Sequence, residues 1–315
     1  MVSQVATAVS TDPREERYRQ AERRLWNHYG LEPTERFVSL DSPSVRLRVL
    51  EVGSGEPVLF VHGTAGLGAW PALIDQLKGI RCLVLERPGW GLSSSIDFSR
   101  HEYRRVTADV LAGALDALGV DRAPVVSASI GNLWALALAA GHPSRVDRIA
   151  LIGGSPLVPE IRPPRIIRLL ASPIGALMVR LPPKRGMELN QLRQNGHGAS
   201  LDAGRIPEEA FIDWRLTMGR ETHSMHHERD MVRSILRRDA WRPGLTFEDE
   251  ELAAIRQPAL YVWGTADPVG SVDIWRRAVG SLPAGELRLV EGAGHTPWLD
   301  DPGLVGGHVR RFLTG

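Results

Sequence analysis

The stretch PVVSASIGNLWALALAAGHP, residues 124–143, decides how this chain is read. Ala123 to Val126 is apolar and reads as a buried strand, and from Gly131 the run GNLWALALAAGH has the length and composition of a buried helix. Only Ser127, Ala128, Ser129 and Ile130 join the two. So short a turn needs small side chains, and it lifts one residue onto its tip. Strand, sharp turn and helix are the setting of the G-x-S-x-G nucleophile elbow. Here the pattern is S-x-S-x-G, with Ser127 at the place of the first glycine. By itself that pattern is weak, because small residues are common in such turns. Whether Ser129 is a nucleophile therefore depends on its surroundings in the chain.

Outward from this turn, short runs rich in Val, Ile and Leu recur: PVLFVHG (57–63), RCLVLE (81–86), RIALIGG (148–154), ALYVWG (259–264) and ELRLVEG (286–292). Most are apolar throughout, as strands covered on both faces must be. Helical stretches separate them, which implies a mostly parallel, doubly wound sheet with helices on both faces. RFVSL and VRLRVLEVG, parted by DSPS, read as an antiparallel hairpin at the sheet edge and bring the expected strands to eight. Before them, PREERYRQAERRLWNHYG reads as a helix stopped by Gly30, with Leu25, Trp26 and Tyr29 as its apolar stripe. The first dozen residues read as disordered.

The alternation breaks between Ser155 and about Ile255, where helix-like pieces occur without a convincing strand. The expected organisation is a tail and helix over 1–35, an α/β core from 36–155 and 256–315, and an inserted helical cap over 156–255. Such a cap would sit above the C-terminal edge of the sheet, where open α/β sheets bind ligands.

Composition narrows the function classes. With 315 residues, 43% hydrophobic and 24% charged, the chain reads as one large globular domain with an insertion. A net charge of +1 gives no overall reason to expect a nucleic acid as partner. No apolar run is long enough for a spanning helix, and the N-terminus lacks the pattern of a secretory signal, so a cytoplasmic protein is expected. Cys82 is the only cysteine and reads as a small buried strand residue.

Four motifs stand in order at strand ends: FVHGTAG, SASIG, WGTADPVG and EGAGHTPWL, with ERPGWGLS after the fourth strand. Together they resemble the α/β-hydrolase superfamily, in its serine-nucleophile, capped form. Glu86 replaces the aspartate usual in the family's D-x-P-G-x-G-x-S turn. The resemblance implies Ser129 as nucleophile, Asp267 as the orienting acid and His295 as the base, in the chain order this fold uses. It also implies an oxyanion hole from the backbone N–H groups of Thr64 and Ile130, with Ala65 the rival to Thr64. An imidazole would take the serine proton, a carboxylate would fix the imidazole's tautomer, and the N–H groups would hold the negative oxygen.

Bland readings compete with each motif taken singly. His62 reads as a structural hydrogen-bonder, Asp267 could be a turn residue before Pro268, and His295 could cap a strand. Ser127 lacks the glycine two residues on that Ser129 has. Asp273 and Glu160 are rival acids that match the expected turns less well. His223, His226 and His227 are spaced to meet on a helix, and two histidines at i, i+4 can bind zinc. No second ligand pair stands out, so no metal or cofactor is expected and the cluster reads as a cap face.

A serine at the elbow excludes the relatives that form their ester intermediate on aspartate. The expected activity is that of a serine esterase acting on a small hydrophobic carboxylic ester or lactone. The alternatives are a carbon–carbon bond hydrolase or lyase using the same triad, or a ligand receptor that retains it. Trp90 and Trp298 are the candidate substrate-binding walls. Ile166, Ile174, Leu177 and their neighbours in the cap would supply further pocket surface, or else a homodimer contact.

Overall fold

The centre of the sheet is built by strands whose two faces are both apolar. In β3 (Glu56–Val61), Leu59 and Val61 point to one side while Val58 and Phe60 point to the other, and none of the four is more than 3% exposed. β4 (Ile80–Leu85), β5 (Ala123–Ala128), β6 (Val146–Ile152) and β9 (Ala259–Gly264) repeat the pattern. A side-chain period of two gives such strands two cores. One core packs under the helices Tyr103–Ala117 and Ile130–Gly141. The other gathers Trp26, Trp70, Trp298 and the C-terminal helix Pro302–Thr314.

The computed structural model describes residues 12–315. Residues 1–11, within the expected disordered tail, lie outside the described residues. The eight-stranded sheet runs in the order β1–β2–β4–β3–β5–β6–β9–β10, with β1 (Thr34–Asp41), β2 (Ser44–Val52) and β10 (Gly285–Val290) completing it. β1 and β2 form the antiparallel edge hairpin read from the sequence, and from β4 onward every pairing is parallel. The chain steps from β3 outward to β4, then returns past β3 to β5. That reversal opens a crevice beyond the C-terminal ends of β3 and β5, where open α/β sheets place their ligands.

Between β6 and β9 the regular elements are nearly all helices, as expected. One small departure is a two-residue ladder, β7 (Leu236–Arg237) with β8 (Ala240–Trp241), which the periodicity did not reveal. The N-terminal helix is Pro13–His28, capped by the Asp12 side chain. It packs on the cap helix Glu208–Glu221 as well as on the sheet, with Arg17 paired to Glu221 and Arg24 to Asp213.

Candidate active site

Ser129 occupies the tip of the β5 turn with φ 52° and ψ −127°. A non-glycine residue in that region carries strain of about 1–3 kcal/mol. The turn is possible because of what lies beside it. A Cβ on Gly131 would stand 2.4 Å from the Val61 carbonyl oxygen, so only glycine lets the helix start this close to β3. A Cβ on Gly63 would stand 2.6 Å from that of Ser129.

Ser127 is fully buried. Its hydroxyl donates to Asn132 Oδ1 at 2.8 Å, while Asn132 Nδ2 donates to the carbonyls of Ile152 and Gly153. The serine at the expected glycine therefore has a partner on the first turn of the following helix, and it faces away from the crevice. Asn132 was missed in the sequence; its one signal was a lone polar side chain in an otherwise apolar helix.

His295 Nε2 lies 3.0 Å from Ser129 Oγ, and His295 Nδ1 lies 3.0 Å from both carboxylate oxygens of Asp267. Asp267 can only accept, so Nδ1 carries the proton and Nε2 is left to take one from the serine. Asp267 is 5% exposed and also accepts from the backbone N–H groups of Gly154 and Val269. The residues Gly153 and Gly154 after β6 allow this approach. At Gly153, φ is +72° and a Cβ would meet the His295 carbonyl oxygen at 2.3 Å. Burial alone would lower the His295 pKa, but the Asp267 charge and its hydrogen bond outweigh burial and leave it raised above 6.5. Asp273 and Glu160 lie away from this chain, paired with Arg276 and Arg277 respectively.

The HG turn after β3 is tied to the turn after β4. His62 Nε2 accepts from the Arg87 N–H, and Nδ1 donates to the Gly63 carbonyl at 2.7 Å. Burial and the neighbouring Arg87 hold the His62 pKa well below its usual value, so the ring is neutral and structural. In the β4 turn, Glu86 accepts from the N–H groups of Leu92 and Ser93 and from the Tyr18 hydroxyl, and it faces Arg48. Its extra methylene is accommodated because Gly91 has no Cβ, which would stand 1.7 Å from Glu86 Oε1.

The cap reaches both sides of the crevice. On one side Glu228 accepts from Trp90 Nε1 and pairs with buried Arg87. On the other, the turn Arg193–His197 docks on the loop that carries His295. There the His295 N–H donates to the Asn195 carbonyl, and the Thr296 N–H donates to His197 Nε2. His197 Nδ1 then donates to Asp300 at 2.8 Å, and Asp300 also accepts from the Gly294 N–H and the Ser200 hydroxyl. A Cβ on Gly196 would strike the Ala266 carbonyl oxygen at 2.5 Å and Gly294 Cα at 2.8 Å, which puts this turn against the loops that carry Asp267 and His295 at once.

The cavity at Ser129 is lined by His62, Gly63, Ala65, Gly66, Ala69, Trp70, Ala128, His295, Thr296 and Trp298. Trp298 stacks on Trp70 at 4.8 Å. Trp90 is not among the lining residues; its indole N–H donates to Glu228 and links cap to core. Thr64 sits between two lining residues, and Ile130 is the first residue of its helix, whose N–H has no acceptor within the helix. Ile166, Ile174 and Leu177, expected to furnish pocket surface, instead point outward and are 52–61% exposed. His223, His226 and His227 do meet on one helix, with His227 against Gly89.

Residues 58–306 match the alpha/beta hydrolase family. A 2-hydroxy-6-oxononadienedioate/2-hydroxy-6-oxononatrienedioate hydrolase of Burkholderia vietnamiensis is 28% identical over 275 residues, 83% of this chain and 89% of that protein. A 2-hydroxy-6-oxo-6-phenylhexa-2,4-dienoate hydrolase of Burkholderia cepacia is 24% identical over 273 residues, 83% of this chain and 90% of that protein. Among solved structures, the hydrolase of the latter compound from Rhodococcus sp. superposes with a TM-score of 0.72 at 20% identity, over 90% of this chain and all of that one. Naproxen esterase from Bacillus subtilis gives 0.71 at 18% identity, over 96% and 99%.

Proposed function

We propose that this chain, which belongs to the alpha/beta hydrolase family and is a hydrolase, cleaves a carbon–carbon bond next to a ketone. Ser129 is the nucleophile, His295 the base and then the acid, and Asp267 the carboxylate that orients His295. The observation that carries the proposal is the unbroken hydrogen-bond chain from Ser129 Oγ through His295 to Asp267, 3.0 Å at each step. The choice of bond is supported by the relatives, whose names are those of hydrolases of 2-hydroxy-6-oxo dienoates. They favour this reading over the ester reading reached from the sequence.

His295 Nε2 takes the serine proton as Oγ bonds to the ketone carbon. The resulting oxyanion takes the N–H groups of Thr64 and Ile130, where each donor is worth about a hundredfold or more in rate. As the tetrahedral adduct collapses, the carbon–carbon bond breaks and its electron pair leaves with the departing carbon. That carbon accepts the proton from His295. The departure demands a carbon whose charge spreads into a conjugated carbonyl, so the substrate class is a vinylogous 1,5-dicarbonyl. A water deprotonated by His295 then hydrolyses the acyl-enzyme and restores Ser129.

One observation favours a second reading, a hydrophobic ester or lactone. Apart from His62, Ser129, His295 and Thr296 the cavity wall is alanine, glycine and tryptophan, and neither lysine nor arginine is among the lining residues. A 2-hydroxy-6-oxo dienoate, which loses its visible absorbance on cleavage, should be tested beside a panel of nitrophenyl esters, with Ser129→Ala as control. Faster turnover of the dienoate supports the proposal. Turnover of esters alone overturns the choice of bond, and equal rates in wild type and Ser129→Ala overturn the nucleophile.

A further inference from the structure

The cap presents a surface that the reaction does not use. Of the seven large apolar side chains left exposed among the described residues, five fall between positions 161 and 187: Ile166, Ile174, Leu177, Leu181 and Met187. The same stretch, IRPPRIIRLLASPIGALMVRLPPKRGM, holds six basic residues and no acidic one, in a chain whose net charge is only +1. Arg162, Arg165, Arg180 and Lys184 are exposed and have no ion-pair partner among the described residues. The helices Arg165–Ala171 and Pro173–Met178 pack on each other and on the helix Ser224–Ile235, leaving their outer faces uncovered.

We propose that this face of the cap docks on an anionic lipid surface. Apolar side chains flanked by basic ones, on short helices lying flat against the body, are what an interfacial element requires. The helices are too short to enter a bilayer lengthwise, and no helix among the described residues is long and apolar enough to cross one. Ile174, Leu177 and Leu181 reach into the acyl boundary while Arg165, Arg180 and Lys184 meet the lipid phosphates. A second copy of the chain fits less well, since two such faces brought together would oppose their unpaired cations. Docking at this face is independent of which bond Ser129 attacks.

The test is flotation of the full chain with vesicles of equal parts phosphatidylcholine and phosphatidylglycerol, beside vesicles of phosphatidylcholine alone. Binding to the mixed vesicles alone is expected. It should be lost near 1 M salt, where the Debye length shrinks to about 3 Å. Arg165→Gln and Arg180→Gln should each weaken it about fivefold. Ile174→Glu/Leu177→Glu should abolish it with the melting temperature unchanged, since neither side chain is buried. A folded chain that ignores the mixed vesicles overturns the proposal, and so does equal binding to both vesicle types. Self-association of wild type, lost in Ile174→Glu/Leu177→Glu and without vesicle binding, also overturns it and gives the face to a second copy.

Discussion

Asp300 is the residue through which the cap and the base loop hold each other, and Asp300→Ala tests that role. Its carboxylate takes three donors: His197 Nδ1–H at 2.8 Å, the Gly294 N–H at 2.8 Å and the Ser200 hydroxyl. His197 and Ser200 are each 1% exposed, so water cannot replace the lost acceptor without a local opening. The serine can turn its hydroxyl elsewhere. The imidazole cannot, because its Nε2 already accepts from the Thr296 N–H and its proton is confined to Nδ1. Two orphaned donors at about 1–3 kcal/mol each, not fully additive, give a loss of about 3 kcal/mol. For a chain of 315 residues that corresponds to a fall of about 5 °C in melting temperature. Gly294 precedes His295, so the base loses its fixed position and kcat should fall about tenfold or more. KM should change little, because Asp300 does not line the cavity. The assay is a thermal melt beside steady-state kinetics. Asp300→Asn keeps one acceptor oxygen and should recover part of both losses. An alanine variant with wild-type melting and wild-type kcat would refute the coupling.

The same geometry sets three further expectations. With His295 as the proposed base, activity requires its neutral form, whose pKa is raised, so kcat/KM should rise with pH through a midpoint above 6.5. Asp267→Asn should move that midpoint down, because burial then acts without the opposing carboxylate; a pH–rate profile with an unmoved midpoint would exclude His295 as the titrating base. Gly196→Ala must bear φ +89° and push apart the acid and base loops, so it should cost about 1–2 kcal/mol from the backbone alone, more from the contact, and most of the activity. A melt and a rate close to wild type would count against it. Ser127→Ala should keep activity within severalfold while Ser129→Ala abolishes it, with fluorophosphonate adduct mapping as the readout; an adduct on Ser127 would reverse the assignment.

The legible part of this chain was the part where geometry leaves few choices. Strands buried on both faces must be apolar throughout, so the central parallel strands could be read directly from Val-, Ile- and Leu-rich runs, and the edge hairpin from two short runs parted by a turn. The elbow could be read because a turn squeezed between strand and helix excludes large side chains at Ser127, Ala128 and Gly131. Illegible in the sequence were the contacts made between distant segments by ordinary residues. Nothing in QNGHG announces that Gly196 touches two loops or that His197 meets Asp300. The outward turn of Ile166, Ile174 and Leu177 was hidden for a related reason. Periodicity shows that a helix has an apolar face, but not whether that face meets a pocket, the core or solvent.

The cap is therefore not one uniform lid. The cavity beside Ser129 is about 10 Å³, room for about one water. A substrate can enter only if some of the surrounding contacts yield. The Arg87–Glu228 pair is 1–2% exposed, and separating buried charges costs several kcal/mol. Opening the turn at His197 would orphan the donors to Asp300 and release the base. Both sets of contacts hold parts of the triad's frame, so yielding there would disassemble the site it was meant to open. The outer pair of short helices, Arg165–Ala171 and Pro173–Met178, is bound differently. Leu170 and Gly175 are its only buried residues, and Ile174 and Leu177 on its outer face are more than half exposed. Separating this outer pair would break fewer buried contacts than opening either inner anchor.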